Sequence, residues 1–169
     1  MKRSTPCSNA IGPPAVRLIS DERLLLDTNF PSELVRPQPE PKVEAWIASQ
    51  RLDDLFISAV SFGELRKGIV LRAPGKRRTE LEAWLKTGLT VFFSGRILPL
   101  TRAVAERWGA LDAQQQLAGS PLGVADGMIA ATALEHDLVV VTRNVKHFVS
   151  LGVPIFDPWP GTELPRAAP

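Results

Sequence analysis

Three acidic residues stand where an apolar run gives way to a polar turn or a helix, and acids in such settings can act together. Asp27 closes Leu24-Leu25-Leu26-Asp27-Thr28-Asn29, where a buried strand delivers one carboxylate into a turn. Glu64 opens a helix after Leu55-Phe56-Ile57-Ser58-Ala59-Val60, and Asp126 lies near the start of another in Pro121-Leu122-Gly123-Val124-Ala125-Asp126. Converging carboxylates repel one another, so such a site either protonates an acid or binds a cation. Hard oxygen donors suit Mg²⁺ or Mn²⁺, and Mg²⁺ keeps several waters and leaves positions for a phosphate oxygen. The chemistry this permits is hydrolysis of a phosphodiester by metal-activated water.

Each acid also has an ordinary structural role. Asp27 taken alone reads as the N-cap of the next helix, Glu64 as a solvated helix residue, and Asp126 as an acid favoured by a helix N-terminus. What weighs against those readings is the three occurring together, in this order. No glycine-rich phosphate loop, Cys-His zinc pattern or Gly-x-Ser-x-Gly elbow competes with the acidic reading. A phosphatase using Asp27 as nucleophile fits poorly, because Asp27 is followed by Thr28-Asn29 and lacks a second acid two residues on.

Short apolar runs alternating with helical periodicity must position these acids, and that alternation marks an α/β domain. Strands are expected at 22–27, 55–59, 96–99, 138–142 and 154–156. A first helix follows Asp27-Thr28-Asn29 through Val35 until Pro37, Pro39 and Pro41 stop it. Further helices are expected over 41–49, the segment bearing Phe62, Leu65 and Ile69, 77–88, 101–117 and 124–136. Leu138-Val139-Val140-Val141-Thr142 looks the most buried strand, suited to a central parallel position. In open sheets of this kind ligands gather beyond the carboxyl ends of the strands, which is where Asp27 and Asn144 would lie.

The 169 residues fit one domain with a sizeable core, and 44% hydrophobic against 22% charged residues exclude wholesale disorder. Residues 1–20 mix Ser, Pro and Gly and read as a flexible extension, as does the tail at 160–169, leaving 22–159 as the folded unit. The single cysteine, Cys7, suits a reducing cytoplasm. No apolar run approaches the roughly 20 residues of a membrane span, and no signal-peptide core follows Lys2-Arg3, so no membrane partner is expected. A net charge of +2 permits nucleic-acid binding, with Arg66, Lys67, Arg72, Lys76, Arg77 and Arg78 as candidate phosphate contacts or a solvated helix face.

Four segments carry a family resemblance: Leu26-Asp27-Thr28-Asn29-Phe30-Pro31-Ser32-Glu33, Ser58-Ala59-Val60-Ser61-Phe62-Gly63-Glu64-Leu65, Ala125-Asp126-Gly127-Met128-Ile129-Ala130-Ala131-Thr132-Ala133, and Thr142-Arg143-Asn144-Val145-Lys146-His147-Phe148. In order and spacing the chain resembles PIN-domain ribonucleases, particularly VapC-type and FitB-like toxins of toxin-antitoxin pairs. The resemblance implies a three-layer α/β/α fold with a mostly parallel sheet and a Mg²⁺-dependent endoribonuclease, with Mn²⁺ as an alternative ion. Asp27 and Asp126 would be the principal metal ligands, Glu64 the third acid, and Asn144 a hydrogen-bonding support. Thr28, Asn29 and Ser32 would orient Asp27 or line the pocket.

The resemblance also implies RNA as substrate, a cognate antitoxin as inhibitor and a homodimer. The family often carries a fourth acid where this chain has His147, a departure that puts a second metal ion in doubt. His147 and His136 are read from the residues as an exposed loop residue and a helix-end residue, with no catalytic role. The alternative function is a degenerate PIN fold that binds RNA or protein without cutting.

Overall fold

The computed structural model describes residues 22–159. The extensions expected at 1–20 and 160–169 lie outside the described residues. Leu24, Leu25 and Leu26 leave no polar face, so strand β1 (Leu24–Leu26) must be covered on both sides, and all three residues are buried. It occupies the middle of a five-stranded sheet with β2 (Leu55–Ser58), β3 (Ile97–Leu98), β4 (Val139–Val141) and β5 (Ile155–Phe156), ordered β3-β2-β1-β4-β5. Every neighbouring pair is parallel, so the sheet expected to be mostly parallel is wholly so.

The period of two along a strand divides the core into layers. Leu24 and Leu26 face one side with Phe30, Ile57, Leu65 and Val141, while Leu25 faces the other with Ile129, Ala130, Val140 and Phe148. Helices therefore cover both faces, giving the three-layer α/β/α arrangement. The run at 138–142 forms an interior strand, but the central position belongs to β1, which pairs with both β2 and β4. Each strand is shorter than its apolar run because the flanking residues already enter turns.

The helices are α1 (Asn29–Leu34), α2 (Pro41–Ala48), α3 (Ala59–Val70), α4 (Lys76–Ala83), α5 (Thr90–Phe92), α6 (Arg102–Leu117), α7 (Val124–Glu135) and α8 (Val145–Phe148). Ser58, the last residue of β2, caps α3 by accepting from the Val60 N–H. Glu64 therefore sits in the second turn of α3 and does not open it, a correction to the sequence reading. The helix expected at 77–88 is α4 running into a π-helical turn, Trp84–Leu89, and then α5. Among the described residues no helix is long and apolar enough to cross a membrane.

α7 is buried on nearly every side because Gly127 lets it approach its neighbours. A Cβ at position 127 would meet Leu122 Cδ2 at 2.7 Å and Trp108 Cδ1 at 2.9 Å. This close seat of α7 against α6 fixes where the first turn of α7, and hence Asp126, meets the sheet edge. Parallel pairing does the rest, since the carboxyl ends of β1, β2 and β4 all open toward one edge.

Candidate active site

Asp27, Thr28, Asn29, Ser32, Glu64, Asp126 and Asn144 line a single open pocket of about 440 Å³. All seven residues singled out in the sequence are thus brought together. Asp27 follows β1, Glu64 projects from α3, and Asp126 comes from the first turn of α7. Glu33, Arg36, Arg143 and His147 complete the lining.

Asp27 is 3% exposed and is the anchor of the site. Its Oδ1 accepts from the Thr28 N–H at 2.6 Å, while its Oδ2 accepts from Asn29 Nδ2 and from the Thr142 hydroxyl, each at 2.7 Å. A carboxylate has about four acceptor positions, so three fixed donors leave one for a cation. Burial raises the Asp27 pKa to about 6 from an ordinary 3.8; the Thr142 and Thr28 hydrogen bonds oppose the rise, and the charges of Asp126 and Glu64 add to it. The three acids therefore lie near enough for the charges of Asp126 and Glu64 to act on Asp27.

The N-cap reading of Asp27 is corrected by the structure. Thr28 precedes the first helical residue of α1, and the Asp27 side chain turns toward Thr142 on the neighbouring strand end. Thr28 also donates its hydroxyl to Glu64 Oε2 at 2.8 Å, tying the second acid to the turn after β1. Ser32 lines the pocket with its hydroxyl donated back to the Thr28 carbonyl at 2.8 Å, which steadies α1.

Asn144 lines the pocket and is tied in through its backbone, whose N–H donates to Thr142 Oγ1 at 2.9 Å. Thr142 is the link that sequence reasoning missed. Fully buried, it joins Asp27, Asn29 and Asn144 across the adjacent ends of β1 and β4. Its position as the polar terminus of the most apolar strand was the available signal.

His147 is exposed, as expected, but it is not in a loop. It lies in α8, with Nδ1 2.9 Å from Asp126 Oδ2, because the short helix after β4 turns its side chain back toward α7. Glu33 is buried and accepts from Arg36, the Glu40 N–H and Trp159 Nε1, a structural knot at the pocket wall. Two members of the basic run are engaged within the fold. Arg77 donates to the Val35 carbonyl and Arg78 to those of Val70 and Arg72, so both tie helix ends together.

Among the described residues no three His, Cys, Asp or Glu side chains are gathered closely enough to cage a metal ion by themselves. Mg²⁺ does not require a cage, since it binds through one or two carboxylates and keeps water in its other positions. An open pocket with carboxylates on different walls fits that habit.

The PIN domain family model matches residues 24–151. The chain belongs to the PIN-domain family. Toxin FitB of Neisseria gonorrhoeae is similar to this PIN domain, 40% identical over 136 residues that span 80% of the chain and 98% of the relative. VapC ribonuclease Y4jK of Sinorhizobium fredii is 38% identical, covering 80% and 97% respectively. The crystal structure of FitAcB from Neisseria gonorrhoeae superposes with a TM-score of 0.75 at 40% identity, over 80% of this chain and 98% of that one. DNA-bound VapBC from Salmonella typhimurium gives 0.67 at 26% identity, over 82% and 100%. The matched region contains all three acids and the Thr142–Asn144 turn of this PIN domain.

Proposed function

We propose that this PIN domain is a Mg²⁺-dependent endoribonuclease, the toxin of a type II toxin-antitoxin pair, with Mn²⁺ able to replace Mg²⁺. The observation that carries the reading is the meeting of Asp27, Glu64 and Asp126 in one pocket beyond the carboxyl ends of parallel strands. The names of the relatives, a toxin and a VapC ribonuclease, support it.

Asp27 and Asp126 would hold the cation, which when bound activates water and neutralises charge on the phosphate. Thr142 and Asn29 keep Asp27 aimed into the pocket, and Thr28 holds Glu64 where it can accept a proton or orient water. Arg143, exposed on the pocket lining, supplies positive charge for the flanking RNA phosphates, while Arg36 is paired with Glu33. Glu33 is saturated by its own donors and stays structural.

A cognate antitoxin would cover this pocket. α1 supports that role, because Ser32 and Glu33 line the acidic pocket while Phe30, Pro31 and Leu34 line an adjoining apolar recess with Trp84 and Phe92. A segment with apolar anchors and one basic side chain would fill both. Homodimerisation follows from the family resemblance and is checked by sedimentation.

The test is cleavage of RNA by purified protein with Mg²⁺, Mn²⁺ or EDTA, comparing wild type with Asp27→Asn and Asp126→Asn. Cleavage requires the metal and is lost in both variants. Cleavage that persists in EDTA, or survives both substitutions, overturns the reading.

A further inference from the structure

We propose that His147 is a positioning residue for Asp126, fixing which carboxylate oxygen faces the cation; this rests on the metal reading above. His147 Nδ1 lies 2.9 Å from Asp126 Oδ2. An ionised carboxylate only accepts hydrogen bonds, so Nδ1 carries the hydrogen and donates it. Oδ2 thereby gives up one of its two acceptor positions, and Oδ1 is the less encumbered oxygen for a metal ion.

The space beside the same atom is also kept open by the lack of a side chain at position 123. A Cβ at position 123 would come within 3.2 Å of Asp126 Oδ2, so Gly123 leaves room for the orientation that His147 holds. The carboxylate is 24% exposed and the imidazole 42%, so neither is locked by the core and the hydrogen bond must do the orienting. On the opposite wall Asp27 has three donors to fix it. Among the described residues Asp126 has one side-chain hydrogen-bond partner, His147, which makes that contact decisive for its aim.

Nitrogen type adds a reason for an outer role. Imidazole is a poor partner for Mg²⁺, whereas a ring N–H donated to a metal-binding carboxylate is a common way to orient the ligand. The arrangement places His147 behind Asp126 and not on the cation.

The test uses Mn²⁺ as probe on full-length protein, with affinity measured by calorimetry and the ion's nitrogen couplings by pulsed paramagnetic resonance. His147→Ala weakens Mn²⁺ binding by about 10–100-fold, the usual effect of removing an outer-shell partner. His147→Asn, whose amide nitrogen reaches the place of Nδ1, restores most of the affinity, whereas His147→Gln, one bond longer, does not. No directly coordinated histidine nitrogen appears in the wild-type spectrum.

Equal affinity in wild type and His147→Ala, failure of Asn to surpass Ala, or a strong nitrogen coupling that vanishes in His147→Ala would each overturn the assignment. Should His147→Ala fold poorly, the Asn to Gln comparison and the wild-type spectrum still decide. Wild type that binds no Mn²⁺ overturns the metal reading itself, while binding indifferent to residue 147 overturns only the role of His147.

Discussion

At the scale of single residues the site is governed by Asp27, a carboxylate buried at a strand end among donors and two other acids. Because its pKa is raised to about 6, ionising it opposes folding of the metal-free protein. The stability present below the unfolded value near 3.8 is lost as pH rises toward 6, and no further loss follows above it. The gap corresponds to about 3 kcal/mol as an upper figure. Denaturant unfolding of metal-free Asp27→Asn and wild type should therefore diverge in favour of the variant across that window; parallel curves would refute the burial cost. A cation needs the ionised form, so Mn²⁺ affinity should fall about tenfold for each pH unit below 6. Thr142→Val removes a donor that lowers the Asp27 pKa, and should raise that pKa further and weaken Mn²⁺ binding by about 10–100-fold. Titration calorimetry checks both. Asp27 and Glu64 were legible in the sequence because each follows an apolar strand that must be buried, and Asp126 because it opens an apolar helix. Thr142 was not, since its bond to Asp27 joins residues 115 apart and exists only once β1 lies beside β4.

At the scale of elements, strand and helix identity followed from hydrophobic period and caps, but the means of delivering each acid did not. Ser58, the last residue of β2, caps α3 so that the helix begins at Ala59, which is why Glu64 falls in its second turn. The π-helical turn at Trp84–Leu89 was invisible because it depends on backbone hydrogen bonding that the sequence period does not report. Packing of α7 on α6 likewise turns on one residue, Gly127, whose absent side chain admits Trp108 and Leu122. Gly127→Ala should destabilise the fold by about 1–3 kcal/mol, partly offset by better helix propensity, with a lowered denaturant midpoint as the readout. An unchanged midpoint would mean that Trp108 shifts freely. Such a loss would also move the first turn of α7 and lower Mn²⁺ affinity through Asp126, linking core packing to the site.

At the scale of the whole molecule, a net charge of +2 and an isoelectric point near 9.0 hide a local inversion: an acidic pocket rimmed by arginines. The sequence offered the basic run at 66–78 as phosphate contacts or a solvated helix face, and within it Arg77 and Arg78 brace carbonyls at helix ends and pair with Glu80 and Glu82. Arg143 is different, an exposed residue on the pocket lining whose backbone N–H is held at 3.4 Å by Asn29 Oδ1, so that its position is fixed to the turn after β1. A phosphate neutralised there releases condensed counterions, which makes affinity fall with salt. Arg143→Ala should therefore weaken RNA binding across sequences and reduce the salt slope by about one, while Arg78→Ala leaves the slope unchanged and lowers stability instead. The measurement is RNA affinity against salt concentration in Ca²⁺, chosen so that cleavage does not remove the probe. A slope that responds to Arg78 and ignores Arg143 would place the RNA on the α4 face, away from the acids, and the pocket would then lack the substrate its chemistry requires.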